Sequence, residues 1–304
     1  MSAAPVCGVL GVGALGGAIA ERLAASGFVV HVHDRSPERV AALTGAIQAQ
    51  ATPRELAAAC DVVLVLLPDT PDVLECVDGP DGLAAGASAG DVVVLCSTVA
   101  VATPALVAER LRPSGAAVVD APVSGGPVAA REGTLAIMVG GEDADVAACR
   151  PALAAIGNPV HVGALGHGEL TKLVNNLMGS VISVAIAEGL ALAARAGGDL
   201  DRIRAAIAGG SGSSWILEQW MPRTVLAGRT EADFAVRLMC KDLRVIAEYA
   251  DELGVPLRAA ALARESYEEA RDRGHGDRDF SVLVALRAAE AGAPIATDLP
   301  PEAL

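Results

Sequence analysis

The chain is nearly devoid of lysine. Of its 23 basic side chains 21 are arginine, leaving only Lys172 and Lys241. Asparagine is almost as scarce, at positions 158, 175 and 176. Arginine therefore meets the ordinary need for surface cations, and the two ammonium groups stand apart. A partly buried lysine can give up its proton, whereas a guanidinium in effect cannot. The plain alternative is a lysine snorkelling from a helix.

Other shortages exclude whole classes of partner. Basic residues are outnumbered 37 to 23, a net charge of −14. Such a surface grips neither nucleic-acid phosphates nor anionic membranes, and an anionic ligand needs a locally basic pocket. Six cysteines, at 7, 60, 76, 96, 149 and 240, show no CxxC spacing. Several sit in apolar runs, where a thiol acts as a small hydrophobe. No metal site is expected, and a reduced, cytoplasmic setting is. No apolar run reaches ~18 residues without a polar interruption, so no membrane span is expected. The first residues lack a basic n-region, so no signal peptide is expected either. No internal repeat or low-complexity segment is visible.

What is present is organised around residues 166–197, apolar on nearly every face after a polar opening. Such a helix is a buried one. At roughly 45 Å it is long enough to cross between two domains, and the chain length suggests two. Lys172 and the Asn175-Asn176 pair stand near its start. Asn176 follows Lys172 by one turn and shares its face, whereas Asn175 points elsewhere, placed to tie the helix to the other domain.

Residues 6–10 read as a buried strand, followed by Gly11-Val12-Gly13-Ala14-Leu15-Gly16 and a helical pattern through Leu23. In this GxGxxG, Gly11 permits the tight turn, Gly13 lets backbone approach a pyrophosphate, and Gly16 allows close helix–strand packing. The phosphates would rest on the helix N-terminus. The next strand, 28–33, ends in Asp34, spaced to accept ribose hydroxyls and so to favour NAD. A helix cap before Pro37 is the other reading of Asp34. Arg35, Ser36 and Arg39 could equally hold the 2′-phosphate of NADP.

Strand-like runs at 62–67, 92–95 and 116–119 alternate with helical runs near 53–59, 71–77 and 102–112. This pattern implies a largely parallel sheet covered on both faces, with ligands beyond the strands' carboxyl ends. The exits Leu67-Pro68, Ser97-Thr98 and Asp120-Ala121-Pro122 are thus either cofactor loops or ordinary turns. Ser124-Gly125-Gly126 reads as an anion nest for a carboxylate or as a glycine hinge. A helix over 143–155 and a strand over 159–162 precede the long helix. Helical patterns follow at 200–208, 214–220, 241–253, 257–273 and 280–290. The fold expected is α/β: a Rossmann-type doubly wound domain over 1–163, an all-helical domain over 164–296 joined by the long helix, and a frayed tail over 297–304.

These residues resemble the β-hydroxyacid dehydrogenase family. The likeness rests on GVGALGGAIAERL with DRSPE, LLPDTPDV, CSTV, DAPVSGG…GTLAIMVGG, GHGELTKLVNN, and LMCKDL with a downstream DFSVL. It implies that Gly11, Gly13 and Gly16 hold the pyrophosphate, and Asp34 and Arg35 the adenosine side. It places Leu67, Pro68 and Thr98 along the nicotinamide half, with Asp72 also touching the cofactor. It gives Ser124, Gly125 and Gly126 the substrate carboxylate. It makes Lys172 catalytic, Asn176 a substrate donor, and Lys241 a residue closing over cofactor and substrate. Trp215 and Trp220 fall at specificity positions, although core packing suits Trp220 better. Leu15 stands where relatives often carry Met. Pro127 and Arg131 stand where many carry small residues, which bears on substrate shape.

The resemblance thus implies an oxidoreductase moving a hydride between NAD, or NADP, and a small 3-hydroxy acid or its semialdehyde. Lys172 would be the general acid/base, and the chain would pair as a homodimer or homotetramer. An imine reductase of the same superfamily is one rival, and Lys172 counts against it. A non-catalytic dinucleotide-binding homologue is the other, disfavoured by the same lysine and by the acidic charge.

Overall fold

The computed structural model describes residues 4–300. By internal contacts the chain divides into two compact units, Met1–Leu173 and Val174–Leu304. The division falls inside the long helix rather than near Gly163, because the first turn of that helix is hydrogen-bonded to a strand of the first unit.

The first unit is a sheet wrapped by helices. Strands β1 (Cys7–Leu10), β2 (Val30–His33), β3 (Ile47–Ala49), β4 (Val62–Val65), β5 (Val92–Leu95) and β6 (Ala117–Asp120) pair in parallel in the order β3-β2-β1-β4-β5-β6. The connections carry α1 (Ala14–Ala25), α2 (Pro37–Ala41), α3 (Pro53–Ala58), α4 (Thr70–Val77), α5 (Leu83–Gly86) and α6 (Thr103–Leu111). Strands β1, β4 and β5 are buried at every position, as a sheet covered on both faces requires. Val9, Leu64 and Val94 feed one core cluster. Their neighbours Leu10, Val63, Val65, Val93 and Leu95 feed the other.

Three strands are additional to those expected: β3, β7 (Val123–Ser124) and β8 (Leu135–Gly140). β3 is short and half exposed, and β7 has two residues, so neither carries a periodic signal. β8 runs antiparallel to β6 and β7 and parallel to β9 (Gly157–Gly163). Helices α7 (Gly126–Glu132) and α8 (Asp143–Ile156) complete this edge.

Helix α9 (His167–Arg195) runs from the first unit into the second. There follow α10 (Leu200–Ala208), α11 (Val236–Leu253), α12 (Arg258–Ala270) and α13 (Val282–Glu290). The stretch expected as a helix over 214–220 is a π-helical turn, Ile216–Trp220, running into a 3₁₀ turn, Met221–Arg223. Helix α11 starts at Val236, five residues before the expected 241, because Ala235 pairs with Asp279 in an antiparallel bridge that launches it. It ends at Gly254 with φ +68°, the left-handed stop that glycine supplies.

Two further expectations are corrected. The tail is not frayed as far as Pro300: Asp298 accepts from the Thr230 amide and hydroxyl at 3.1 and 2.6 Å, and Leu299 is buried. Residues 301–304 lie outside the described residues. Helix α9 is not buried all round either. Val174, Met178 and Leu192 are 49, 56 and 74 % exposed, and spacings of four and eighteen residues put them on one face. By length and composition alone this helix could cross a membrane, since its polar interruptions are too sparse to prevent it.

All six cysteines are free. Burial pushes the thiols of Cys7 and Cys60 up to about 12 and that of Cys149 up to about 11, and raises Cys96, Cys76 and Cys240. The thiolate is the reactive form. At pH 8 the native protein should therefore react slowly with a disulfide reagent, and all six thiols should titrate rapidly in denaturant. Rapid native titration of all six would contradict this burial.

Candidate active site

The turn after β1 is built for close approach. Gly11 has φ +89°, and a Cβ there would lie 2.5 Å from the Leu66 carbonyl oxygen. A Cβ on Gly16 would lie 1.9 Å from the Gly11 oxygen, so α1 can start this close to β1 only with glycine. At Gly13 a Cβ would meet nothing within 4 Å. That open face, at the start of α1 where the first N–H groups of a helix lack intrahelical partners, can receive a pyrophosphate. The glycine pattern and its surroundings thus fit a dinucleotide.

Asp34 closes the turn from β2. Its carboxylate accepts from the Val12 amide and from the Ser36 amide, both at 2.8 Å. Its side chain is 5 % exposed, and Arg39 reaches to 3.7 Å. It does not cap α2, which Ser36 precedes. Each oxygen keeps a lone pair, so ribose hydroxyls can still be accepted. Arg35 is exposed, and the Ser36 hydroxyl donates to Glu38 at 2.7 Å.

The exits of β4 and β5 are stitched together. The Ser97 hydroxyl accepts from the Leu67 amide at 2.8 Å and donates to the Val65 carbonyl. Ser97 is therefore a buried tie, while Leu67 and Thr98 stay partly accessible, Pro68 is exposed, and Leu67 packs beside Gly11. Asp72 lies in the first turn of α4, which Asp69 caps.

Asp120, read from the sequence as a possible cofactor loop, does something else. It is fully buried, and its carboxylate accepts from the Gly166 and Glu169 amides, each at 2.7 Å. It thus caps α9 from a distant strand. Cβ atoms on Gly140 or Gly168 would come within 2.5 and 2.7 Å of its oxygens, so the cradle is shaped by glycine. Burial raises its pKa, against the lowering effect of those amides. Glu169, also buried, accepts from the Val99 amide at 3.2 Å and ties α9 to the β5 exit. Lys172, one turn from this clamp, is 6 % exposed. Asp120→Ala should cost about 1–3 kcal/mol for each stranded amide, read by denaturant unfolding; unchanged stability would remove the clamp.

Ser124 ends β7 opposite Ala136. Gly125 and Gly126 have φ +131° and +74°, and a Cβ on Gly125 would lie 2.7 Å from that of Ala129. The loop is thus a left-handed turn into α7, a form that aims successive amides outward. Arg131, on α7, lines a cleft of about 270 Å³ with Val12, Gly13, Glu21 and Arg39, where α7 packs against α1.

In the second unit, Asn176 is 7 % exposed and donates through Nδ2 to Asp242 at 2.5 Å. Asn175 is exposed and donates to Asn176 Oδ1 at 3.0 Å, rather than anchoring the helix elsewhere. Lys241 Nζ lies 2.7 Å from the other oxygen of Asp242, which is 1 % exposed. Asp242 thus orients Asn176 and Lys241 together. Sequence reasoning passed over it, although it directly follows one of the two lysines. Trp220 is core, donating to Asp279 at 3.0 Å, whereas Trp215 is 53 % exposed.

Comparison with known proteins bears on this arrangement. Residues 6–166 match the NAD binding domain of 6-phosphogluconate dehydrogenase. Residues 166–287 match the NAD-binding domain of NADP-dependent 3-hydroxyisobutyrate dehydrogenase. The chain is 34 % identical to 2-(hydroxymethyl)glutarate dehydrogenase of Eubacterium barkeri, over 92 % of this chain and 93 % of that protein. It is 33 % identical to 2-hydroxy-3-oxopropionate reductase of Escherichia coli, over 91 and 95 %. A solved 3-hydroxyisobutyrate dehydrogenase from Salmonella typhimurium superimposes with a TM-score of 0.82 at 30 % identity, covering 92 % of this chain and 99 % of that one. An imine reductase from Pseudomonas sp. is more distant, at 22 % identity and a TM-score of 0.60, a likeness of fold alone.

Proposed function

The chain belongs to the β-hydroxyacid dehydrogenase family and is an NAD(P)-dependent oxidoreductase of hydroxy acids; we propose that it acts on a small 3-hydroxy carboxylic acid or its semialdehyde, with Lys172 as general acid/base. One observation carries this reading. Lys172 is one of two lysines, is buried on α9 one turn from Asn176, and stands one turn from the Asp120 clamp.

A nicotinamide cofactor held by the Gly11–Gly16 turn and Asp34 would supply the hydride acceptor for the carbinol carbon, or the donor for the carbonyl. In oxidation the Lys172 amine takes the hydroxyl proton as the carbon gives up its hydride; in reduction the ammonium returns it. A lysine suits this task because an ammonium, unlike a guanidinium, can give up and regain its proton. Asn176 has a second Nδ2 proton to offer the substrate oxygen, the first being held by Asp242. Ser124 and the amides of Gly125 and Gly126 hold the substrate carboxylate, and Lys241 stabilises the bound anions. Leu67, Pro68, Asp72 and Thr98 line the cofactor, with Trp215 beside the distal part of the substrate.

The Asp34 carboxylate supports NAD as the preferred cofactor. Asp34→Ala should weaken NAD about 10-fold or more relative to NADP, as loss of a charged hydrogen bond does; an unchanged ratio would mean the ribose contact is misassigned. The apolar stripe of Val174, Met178 and Leu192 supports self-association into a homodimer or homotetramer. The free thiols support a reducing, cytoplasmic location. A panel of 3-hydroxy acids with NAD or NADP, followed by absorbance of the reduced nicotinamide, tests the activity; no reduction with any of them would refute it.

A further inference from the structure

The glycine turn of the first unit offers a dinucleotide no cationic side chain. Between Gly11 and Gly16 the sequence holds only Val12, Ala14 and Leu15 besides glycine. The start of α1 supplies roughly half an elementary charge, whereas a pyrophosphate bridge is ionised on both phosphates at neutral pH. The Asp34 carboxylate, bonded to the Val12 amide, adds a negative charge close by, and the whole chain is acidic at −14. An anion drawn to such a surface needs a local cation to offset this field.

One stands on α7. Arg131 lines a single cleft with Val12, Gly13 and Ala14 of the glycine turn, with Glu21 on α1 and with Arg39 on α2. The three charged side chains are differently engaged. Arg39 reaches Asp34 at 3.7 Å, on the ribose side of the turn. The Glu21 carboxylate accepts from the Thr44 hydroxyl at 2.7 Å and from the Thr44 amide at 3.0 Å. Those bonds hold its pKa below the ordinary value, and the Arg131 charge adds to them. Glu21 also lies about 10 Å down α1 from Ala14, away from the position of the phosphates. Arg131 is exposed and makes no hydrogen bond or ion pair among the described residues. Its fork is therefore the uncommitted cation of the cleft, which opens onto the glycine turn.

We propose that Arg131 is a cofactor-binding residue, a cation from α7 that closes on the pyrophosphate while the glycine turn receives it from the α1 side. This rests on the NAD(P) site described above and is independent of which hydroxy acid is the substrate. The pyrophosphate is common to NAD and NADP, so Arg131 raises affinity for both and discriminates between neither; discrimination belongs to the ribose side, at Asp34. A guanidinium suits the task because its planar fork can bond two phosphate oxygens at once.

Titration calorimetry of the full chain with NAD, NADP and ADP-ribose, which keeps the diphosphate but lacks the nicotinamide, tests this without any turnover. Arg131→Met should raise the Kd of all three about 10-fold, the low end for a charged hydrogen bond because the cleft is open to solvent. The NAD-to-NADP ratio should move less than about 2-fold. The loss should shrink as salt is raised from about 50 to 500 mM, since screening weakens the wild-type contact and not the variant. Arg131→Lys should recover part of the affinity, and Glu21→Gln should not copy the loss. Unchanged affinities in Arg131→Met would overturn the contact. A loss confined to NADP would move Arg131 to the 2′-phosphate, and an equal loss in Glu21→Gln would make it structural; either result overturns the proposal while leaving the cofactor site standing. Failure of the wild type to bind any of the three ligands would overturn both.

Discussion

Replacing Lys172 with alanine is expected to lower kcat by about 10²–10⁴-fold while leaving NAD(P) affinity nearly unchanged. The separation follows from where the residues lie. The glycine turn and Asp34 are held by β1 and β2 and by bonds that do not involve α9. Lys172 is held by α9, whose first turn is fixed by Asp120 and Glu169. Removing the amine leaves both frameworks intact. Hydride transfer then lacks only the group that takes the hydroxyl proton. Retention of more than a few per cent of kcat would take Lys172 out of the chemistry. Nucleotide binding, followed by fluorescence of the reduced cofactor, serves as the control.

The second large effect is expected at Asp242. Its two oxygens hold Asn176 Nδ2 at 2.5 Å and Lys241 Nζ at 2.7 Å, and the residue is 1 % exposed. Asp242→Ala would release both at once. Misplacing a substrate-binding group by about 1 Å can cost on the order of 10²-fold, and a loss of about that size in kcat/KM is predicted. Stability should fall by about 1–3 kcal/mol, because Asn176 keeps a buried, unpaired amide. Asp242→Asn keeps one acceptor and loses the charge, so it should fall between the two. If Asp242→Ala lowers stability but leaves kcat and KM untouched, the residue is structural only. The pairing of a kinetic and an unfolding measurement keeps those cases apart.

Much of this arrangement was legible before any coordinates. The GxGxxG turn, the acid ending β2 and the rare lysine on a long apolar helix each break a local pattern for a chemical reason. The parallel strands were legible because burial on both faces makes them continuous apolar runs. The strands β3 and β7 were not, since elements of two or three residues hold no period. Nor was the role of Asp120, whose partners at Gly166 and Glu169 lie 46 and 49 residues away; a cap supplied across the fold leaves no local spacing to read. Asp242 was hidden for a related reason. An acid in an amphipathic helix looks like solvated surface until the helix is seen to turn it inward. The exposure of Val174, Met178 and Leu192 was missed because composition registers that a helix is apolar, not whether its own chain covers every face.

The account stands on the Lys172 amine as the group that exchanges the substrate proton. The pH dependence of the single-turnover rate of hydride transfer tests it most directly, in the wild type and in Lys172→Ala with NAD and one accepted hydroxy acid. In the oxidative direction the wild-type rate should rise with pH as one group loses its proton, and the residual rate of the variant should lack that limb. A variant whose rate stays within a few-fold of wild type, with the same limb intact, would contradict it.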